Sequence, residues 1–220
     1  MTRRYSSEKL KAMLLKVPKA RYIWATSYFL LGKSALHKVG WFRSVWSGEP
    51  VDRNGRPIPW ITYPCIHFLE TRIQSSHRIF EYGSGNSTLW FAKRAKSIVS
   101  VEHDRDWHRY MKRKLPDNAR IRYVPLGDSY PKAILDEEGF FDIIVIDGRM
   151  RVSCAQRALN RLGRTGVLVW DNTDRKEYAR GIRYLRNKGF KQLDFVGQFP
   201  SSPRNSVTSI FYRQRNVFDL

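Results

Sequence analysis

At 220 residues the chain is long enough for one well-buried α/β domain with an extension and too short for two ordinary domains. A hydrophobic content of 42% with 14% aromatics argues against a disordered chain, and two cysteines without zinc-ligand spacing, Cys65 and Cys154, argue against a disulfide framework or a structural metal site. The formal net charge of +20 points to nucleic acid, an anionic membrane surface or acidic small molecules as partners, and says little about fold. The start Met1-Thr2-Arg3-Arg4 lacks the apolar core and cleavage site of a signal peptide, and the longest apolar run, Tyr22 to Leu31, is too short to span a bilayer. Reduced cytoplasm is the expected compartment.

Residues 1 to 56 hold 12 Lys and Arg against 3 acidic residues and show no strand-helix alternation. Leu10, Met13, Leu14 and Val17 recur at helical spacing, which predicts an amphipathic helix stopped by Pro18. Its apolar face suits packing on the rest of the chain or on a second copy in a homodimer. With Trp24, Trp41 and Trp46 it also suits an anionic membrane surface, peripheral to the bilayer. Residues 47 to 64, rich in Gly and Pro, read as a loop wrapping toward a site, where Trp60 and Tyr63 either line a pocket or pack against the core. We therefore expect an extension over residues 1–64 and a domain over 65–220.

From Cys65 onward strands and helices alternate. Ile66 to Ile73 reads as a helix, Arg78 to Tyr82 as the first strand, Ser87 to Ala95 as a helix and Ser97 to Glu102 as the second strand. Trp107, Tyr110, Met111 and Leu115 share the face of a helix ended by Pro116, and Ile121 to Val124 forms a third strand. After a short helix over Pro131 to Leu135 comes Phe141 to Asp147, the most hydrophobic strand. Val152, Ala155, Leu159 and Leu162 mark a helix, Gly163 to Gly166 a turn, and Val167 to Trp170 a fifth strand. Tyr178, Ile182 and Leu185 mark the last helix, and Lys191 to Val196 with Thr208 to Tyr212 close as a hairpin. Runs apolar on both faces predict a mostly parallel sheet covered on both sides, with the hairpin as an antiparallel edge.

The turn after the first strand carries the chemistry. In Glu81-Tyr82-Gly83-Ser84-Gly85-Asn86-Ser87 the glycines allow unusual dihedrals and close approach of a ligand, and Asn86 and Ser87 are helix-capping types. Thr88 stands where a dinucleotide fingerprint has its third glycine, and no Gly-Lys-Ser/Thr ending is present for a P-loop. The acidic-x-Gly-x-Gly pattern resembles motif I of the class I S-adenosylmethionine-dependent methyltransferases. Acidic residues carried by or following four of the first five strands strengthen that resemblance over residues 66 to 212. It implies a Rossmann-like fold with a seven-stranded sheet.

The resemblance also implies roles. Glu81 would face the cationic amino-acid end of S-adenosylmethionine, with Gly83, Ser84, Gly85, Asn86 and Ser87 forming the floor. Glu102 follows Glu81 by 21 residues, the separation of a carboxylate that binds a ribose diol, and His103 would lie over the adenine. Asp128 and Ser129 are placed either at the adenine amino group or as helix caps. Asp147, Asp171 and Asn172 resemble the Mg²⁺ set of catechol-type O-methyltransferases, with capping at strand ends as the alternative. Those enzymes have a lysine where Met150 stands here, flanked by Arg149 and Arg151, which suit an anionic acceptor or are surface charges. Asp147, Arg149 and Arg151 are the catalytic candidates.

The Pro-Cys pair at Pro64-Cys65 precedes the first strand, so it is not the nucleophile of cytosine-5 methyltransferases, and no base-methylating Asn/Asp-Pro-Pro-aromatic motif follows the fourth. Ile58 to Pro64 and Asp147 to Arg151 resemble segments of a little-characterised bacterial branch. Together these imply methylation of oxygen on a small or carbohydrate-like acceptor. Two alternatives stay open: an RNA methyltransferase or RNA-binding protein, suggested by 10 Lys and Arg against 2 acidic residues over 175–216, and a non-catalytic member that binds a partner or membrane.

Overall fold

The computed structural model describes residues 18–220; the helix expected around Leu10 to Val17 lies outside the described residues. The described part of the extension is helical: α1 (Pro18–Leu30), α2 (Ala35–Val39) and α3 (Trp41–Ser47). Pro18 opens α1, as its fixed φ and missing N–H allow at a helix start. The Pro- and Gly-rich stretch that follows is a loop, apart from an isolated bridge between Val51 and Pro57. It ends two residues earlier than expected, because Tyr63 and Pro64 form the first turn of α4 (Tyr63–Arg72).

The remaining order is β1 (Arg78–Tyr82), α5 (Asn86–Ala92), β2 (Ser97–Glu102), α6 (Arg105–Lys112), β3 (Ala119–Tyr123), α7 (Ser129–Lys132), β4 (Phe141–Ile146), α8 (Arg151–Ala158), β5 (Leu162–Asp171), α9 (Ala179–Asn187), β6 (Lys191–Gln198) and β7 (Asn205–Tyr212). The seven strands pair in the order β3-β2-β1-β4-β5-β7-β6. The first five are parallel, while β7 is antiparallel to both β5 and β6. The chain reverses its direction of growth between β1 and β4, so their carboxyl ends flank a crevice where ligands of open α/β sheets bind.

Alternation along β4 divides the core. Ile143 and Val145 join Ile79, Ile98, Val167 and Val169 under α4 and α5, while Ile144 and Ile146 join Phe80, Tyr82, Leu168 and Trp170 on the other face. Both faces are apolar and covered, which accounts for the unbroken hydrophobic runs in the sequence. Gly163 to Gly166 are not a free turn. They lie inside β5, where Leu162 pairs with Phe141 and the register then shifts before Ile143 pairs with Val167. A Cβ on Gly166 would come 2.7 Å from Leu162 Cδ1, so glycine is what lets this bulged segment remain in the sheet.

The β1 and β4 ends are pressed together. Gly83 has φ +97°, and its Cβ would stand 3.1 Å from the Gly148 nitrogen; a Cβ on Gly148 would stand 2.2 Å from the Tyr130 hydroxyl and 2.8 Å from the Gly83 nitrogen. Tyr130 is fully buried, so it has little room to yield. Gly148→Ala should therefore lower stability by roughly 1 to 3 kcal/mol, read as a lower urea midpoint with unchanged slope.

Candidate active site

A cleft opens where β1, β4 and β5 end. One lobe, of about 140 Å³, is lined by Gly48 to Pro50, Trp60, Ser84 to Ser87, Trp107 and Asp147. The adjoining lobe, of about 290 Å³, is lined by Trp60, Asp147, Asp171, Asn172, Arg175 and Phe199. Trp60 and Asp147 belong to both lobes, so they mark the junction.

Two carboxylates lie beneath the first lobe. Glu81 is buried and accepts hydrogen bonds from Ser87 Oγ at 2.5 Å, Thr88 Oγ1 at 2.5 Å and Ser100 Oγ at 2.7 Å. Burial raises its pKa from 4.5 to about 6, against the pull of the three hydroxyls. Glu102, also buried, accepts from Ser84 Oγ at 2.8 Å and from the backbone nitrogens of His103 and Asp104 at 2.8 and 2.9 Å. Ser84 and Ser87 thus link each carboxylate to the cleft floor. Trp107 closes the side, with its indole nitrogen donating to the Ser84 carbonyl at 2.9 Å. Asn86 is held from the extension, since its amide donates to the Pro50 carbonyl at 2.9 Å. The glycine turn, the hydroxyls, the paired carboxylates and an indole wall suit a ligand with an ammonium group, a diol and a flat ring.

The expected Mg²⁺ ligands do meet, but around an arginine. Arg151 donates to the Asp147 carbonyl and Oδ1 at 2.8 and 2.9 Å, to the Gly148 carbonyl at 2.9 Å, to the Asp171 carbonyl at 2.6 Å and to Asn172 Oδ1 at 3.2 Å. Its Nη1 lies 3.8 Å from Asp171 Oδ2, while Asp171 Oδ1 accepts from Thr208 Oγ1 at 2.7 Å. The guanidinium supplies the positive charge that an ion would supply, and it already holds oxygens that an ion would need. The residues do not fit Mg²⁺, and no cluster of three or more His, Cys, Asp or Glu among the described residues could hold a metal. Met150 and Asn172 adopt φ of 51° and 59° at the two ends of this clamp. The left-handed region suits Asn; for Met it is strain of about 1 kcal/mol or more, tolerated where the packing demands it. Asp147 and Asp171 have pKa values pushed up, first by burial, with the Arg151 charge working in the opposite direction.

Other expectations fare differently. Asp128 and Ser129 are exposed at the start of α7 and do not line the cleft, and Asp128 makes no side-chain cap bond. His103 sits beside Glu102, its ring edge-on to Tyr130 at 6.2 Å, and is not a cleft wall. Arg149 is exposed and lines neither lobe, and Arg151 is engaged with Asp147. Arg175 lines the second lobe instead. Sequence reasoning missed Arg175, Phe199, Glu49 and Trp107 as cleft residues. Trp107 alone carried a signal, an indole in the first turn of the helix that follows the strand-end segment Glu102-His103-Asp104, a helix whose fully buried residue is Met111.

Residues 80–173 match a family model described as a methyltransferase domain. The strand order is that of the class I methyltransferase fold, and the matched segment spans its first five strands almost completely. The chain is similar to a methyltransferase-like protein from Silicibacter pomeroyi, with 26% identity, a TM-score of 0.51, and coverage of 71% of this chain and 89% of that one. It shares its fold with a precorrin-6y C5,15-methyltransferase from Geobacter metallireducens, at 14% identity, TM-score 0.55, and 68% and 87% coverage. The same holds for a Streptococcus mutans protein described as a methyltransferase and solved with S-adenosylhomocysteine, at 10% identity, TM-score 0.51, and 66% and 94% coverage. No curated protein matches the chain significantly. The first lobe, with Glu81 and Glu102 beneath it, has groups suited to hold S-adenosylmethionine, the cofactor that this similarity implies.

Two outcomes test the site. Glu81 binds its proton more tightly in the folded chain than in the unfolded one, so it is neutral and harmless below about pH 4.5, and its ionisation lowers stability as the pH rises through about 6. Glu81→Gln should gain stability relative to the wild type between pH 4 and 7.5, by up to roughly 2 kcal/mol, in urea unfolding at a series of pH values. Removing the charge of Arg151 leaves the buried Asp171 and the half-buried Asp147 facing each other without a cation. Arg151→Met should destabilise by roughly 1 to 3 kcal/mol, whereas millimolar Mg²⁺ or a chelator should leave the melting temperature of the wild type unmoved.

Proposed function

We propose that this methyltransferase transfers the S-adenosylmethionine methyl group to a hydroxyl of a small carbohydrate-like acceptor that bears an anionic group, without a metal. The observation that supports this most is the second lobe. Trp60 and Phe199 offer aromatic faces suited to the C–H face of a sugar ring, Asp147, Asp171 and Asn172 offer hydrogen-bonding groups, and Arg175 offers an exposed cation. Its junction with the cofactor lobe at Trp60 and Asp147 is where acceptor and methyl donor would meet.

In this reading S-adenosylmethionine supplies an electrophilic methyl group, and the protein aligns the partners and excludes water. The acceptor oxygen forms a bond to the methyl carbon as the carbon–sulfur bond breaks, and Asp147 takes the hydroxyl proton. Its raised pKa makes it a stronger base than an ordinary carboxylate. Arg151 acts as a positioning residue: it fixes the Asp147 carboxylate at one oxygen and leaves the other unengaged by it. Trp60 is itself fixed, its indole nitrogen donating to the Pro200 carbonyl at 2.9 Å.

Calorimetric titration with S-adenosylhomocysteine is expected to show binding, weakened roughly tenfold or more by Glu102→Ala through loss of the charge-assisted pair. Methyl incorporation into sugar phosphates or uronic acids should fall about a hundredfold or more in Asp147→Asn and be unaffected by chelator. Cofactor binding with incorporation only into RNA would instead favour the nucleic-acid reading, for which the basic 175–216 segment is the supporting feature.

A further inference from the structure

The described helices of the extension present a surface unlike the rest of the molecule. Tyr22, Ile23, Leu30 and Leu31 are exposed, Leu30 at 77%, and so are Val45 and Trp46, the latter at 92%. Ile23 and Leu30 are seven residues apart and share one face of α1. These groups belong to one packed unit. Phe29 of α1 meets the Phe42 ring edge-on at 5.4 Å, and His37 stacks at 4.2 Å from Phe42, tying α1, α2 and α3 together. The unit is anchored to the domain by Trp41, whose indole nitrogen donates to the Ser202 carbonyl at 2.8 Å. At its α2–α3 joint Gly40 lies so close to the Asp52 backbone that a Cβ would stand 2.3 Å from it.

Charge identifies the occupant. Between Glu8 and Glu49 the sequence has eight Lys and Arg and no acidic residue, and Lys19, Lys38 and Arg43 are exposed on the described helices, with Lys33 exposed in the turn between α1 and α2. Aliphatic and aromatic side chains flanked only by cations complement an apolar layer beneath anionic headgroups. Nucleic acid would satisfy the cations and leave Ile23, Leu30 and Leu31 in water. A second copy would set cations against cations.

We propose that this face docks on the surface of an anionic lipid bilayer. Tyr22, Ile23, Leu30, Leu31 and Trp46 enter the headgroup boundary, and the lysines and Arg43 lie among the headgroups. No helix among the described residues is long and apolar enough to cross a membrane, so the mode is peripheral. Because α3 runs directly into Gly48 to Pro50, a wall of the cleft, docking holds the cleft beside the bilayer.

The test is sedimentation of the full chain with phosphatidylcholine vesicles, with and without about one third phosphatidylserine. The wild type should bind the anionic vesicles at least roughly tenfold better than the neutral ones, and Ile23→Ser/Leu30→Ser/Trp46→Ser should lose roughly tenfold or more with an unchanged circular dichroism spectrum. A second variant, Lys19→Glu/Lys33→Glu, should lose binding to anionic vesicles without touching the apolar groups. Equal binding by the triple variant and the wild type would overturn the proposal in favour of charge alone. So would no vesicle binding by the wild type, or a wild-type dimer in sedimentation equilibrium that the triple variant splits. None of these readouts involves methyl transfer, so they stand apart from the catalytic reading.

Discussion

The active-site end of the sheet depends on one buried cation. β4 and β5 are neighbours, and each delivers a carboxylate to the same crevice, Asp147 and Asp171. Two such groups out of water repel and lose hydration, so the arrangement holds only if a positive charge with several donors is fixed between them. Arg151 meets that need with a planar fork that reaches back along its own helix start, bonding the carbonyls of Asp147, Gly148 and Asp171 as well as the Asp147 carboxylate and the Asn172 amide. Met150 accepts a left-handed backbone so that Arg151 can begin α8 in this position. The cation between the carboxylates is thus covalently tethered to the chain.

The same economy of space governs the neighbouring strand ends. Gly83 and Gly148 approach closely enough that neither tolerates a side chain, which brings the β1 turn and the Asp147 carboxylate to one cleft. Under that turn Glu81 is kept by three hydroxyls rather than by a cation, so its ionisation is only partly compensated. A buried carboxylate with neutral partners suits a site that meets its positive charge in a ligand, and lowers the stability of the chain before the ligand arrives.

The extension is a wall of the site. Gly48, Glu49, Pro50 and Trp60 line the cleft, and the Thr62 hydroxyl donates to the Phe195 carbonyl at 3.0 Å, tying the lead-in loop to the antiparallel edge. The hairpin at that edge contributes Phe199 to the second lobe from the loop between β6 and β7. The extension and the hairpin therefore add walls to two lobes whose floor is made by the strand ends of the sheet.

Periodicity and punctuation determined the fold. Apolar runs at two-residue and helical spacings placed the strands and most helices within a few residues, because local pattern and global burial agree in a parallel sheet covered on both faces. The Glu81 to Ser87 turn, Glu102 and the meeting of Asp147, Asp171 and Asn172 were legible too, since residues at the carboxyl ends of adjacent parallel strands share one edge. What held those three together was not legible. Whether Arg151 points outward or folds back between carboxylates depends on the dihedrals of Met150 and on the β4–β5 spacing, which local sequence does not encode. Gly163 to Gly166 likewise read as a turn until the register with Phe141 drew them into β5. Trp60, Arg175 and Phe199 lie more than a hundred residues apart at the extremes, and only the packing of the extension and the hairpin across the strand ends brings them into one lobe.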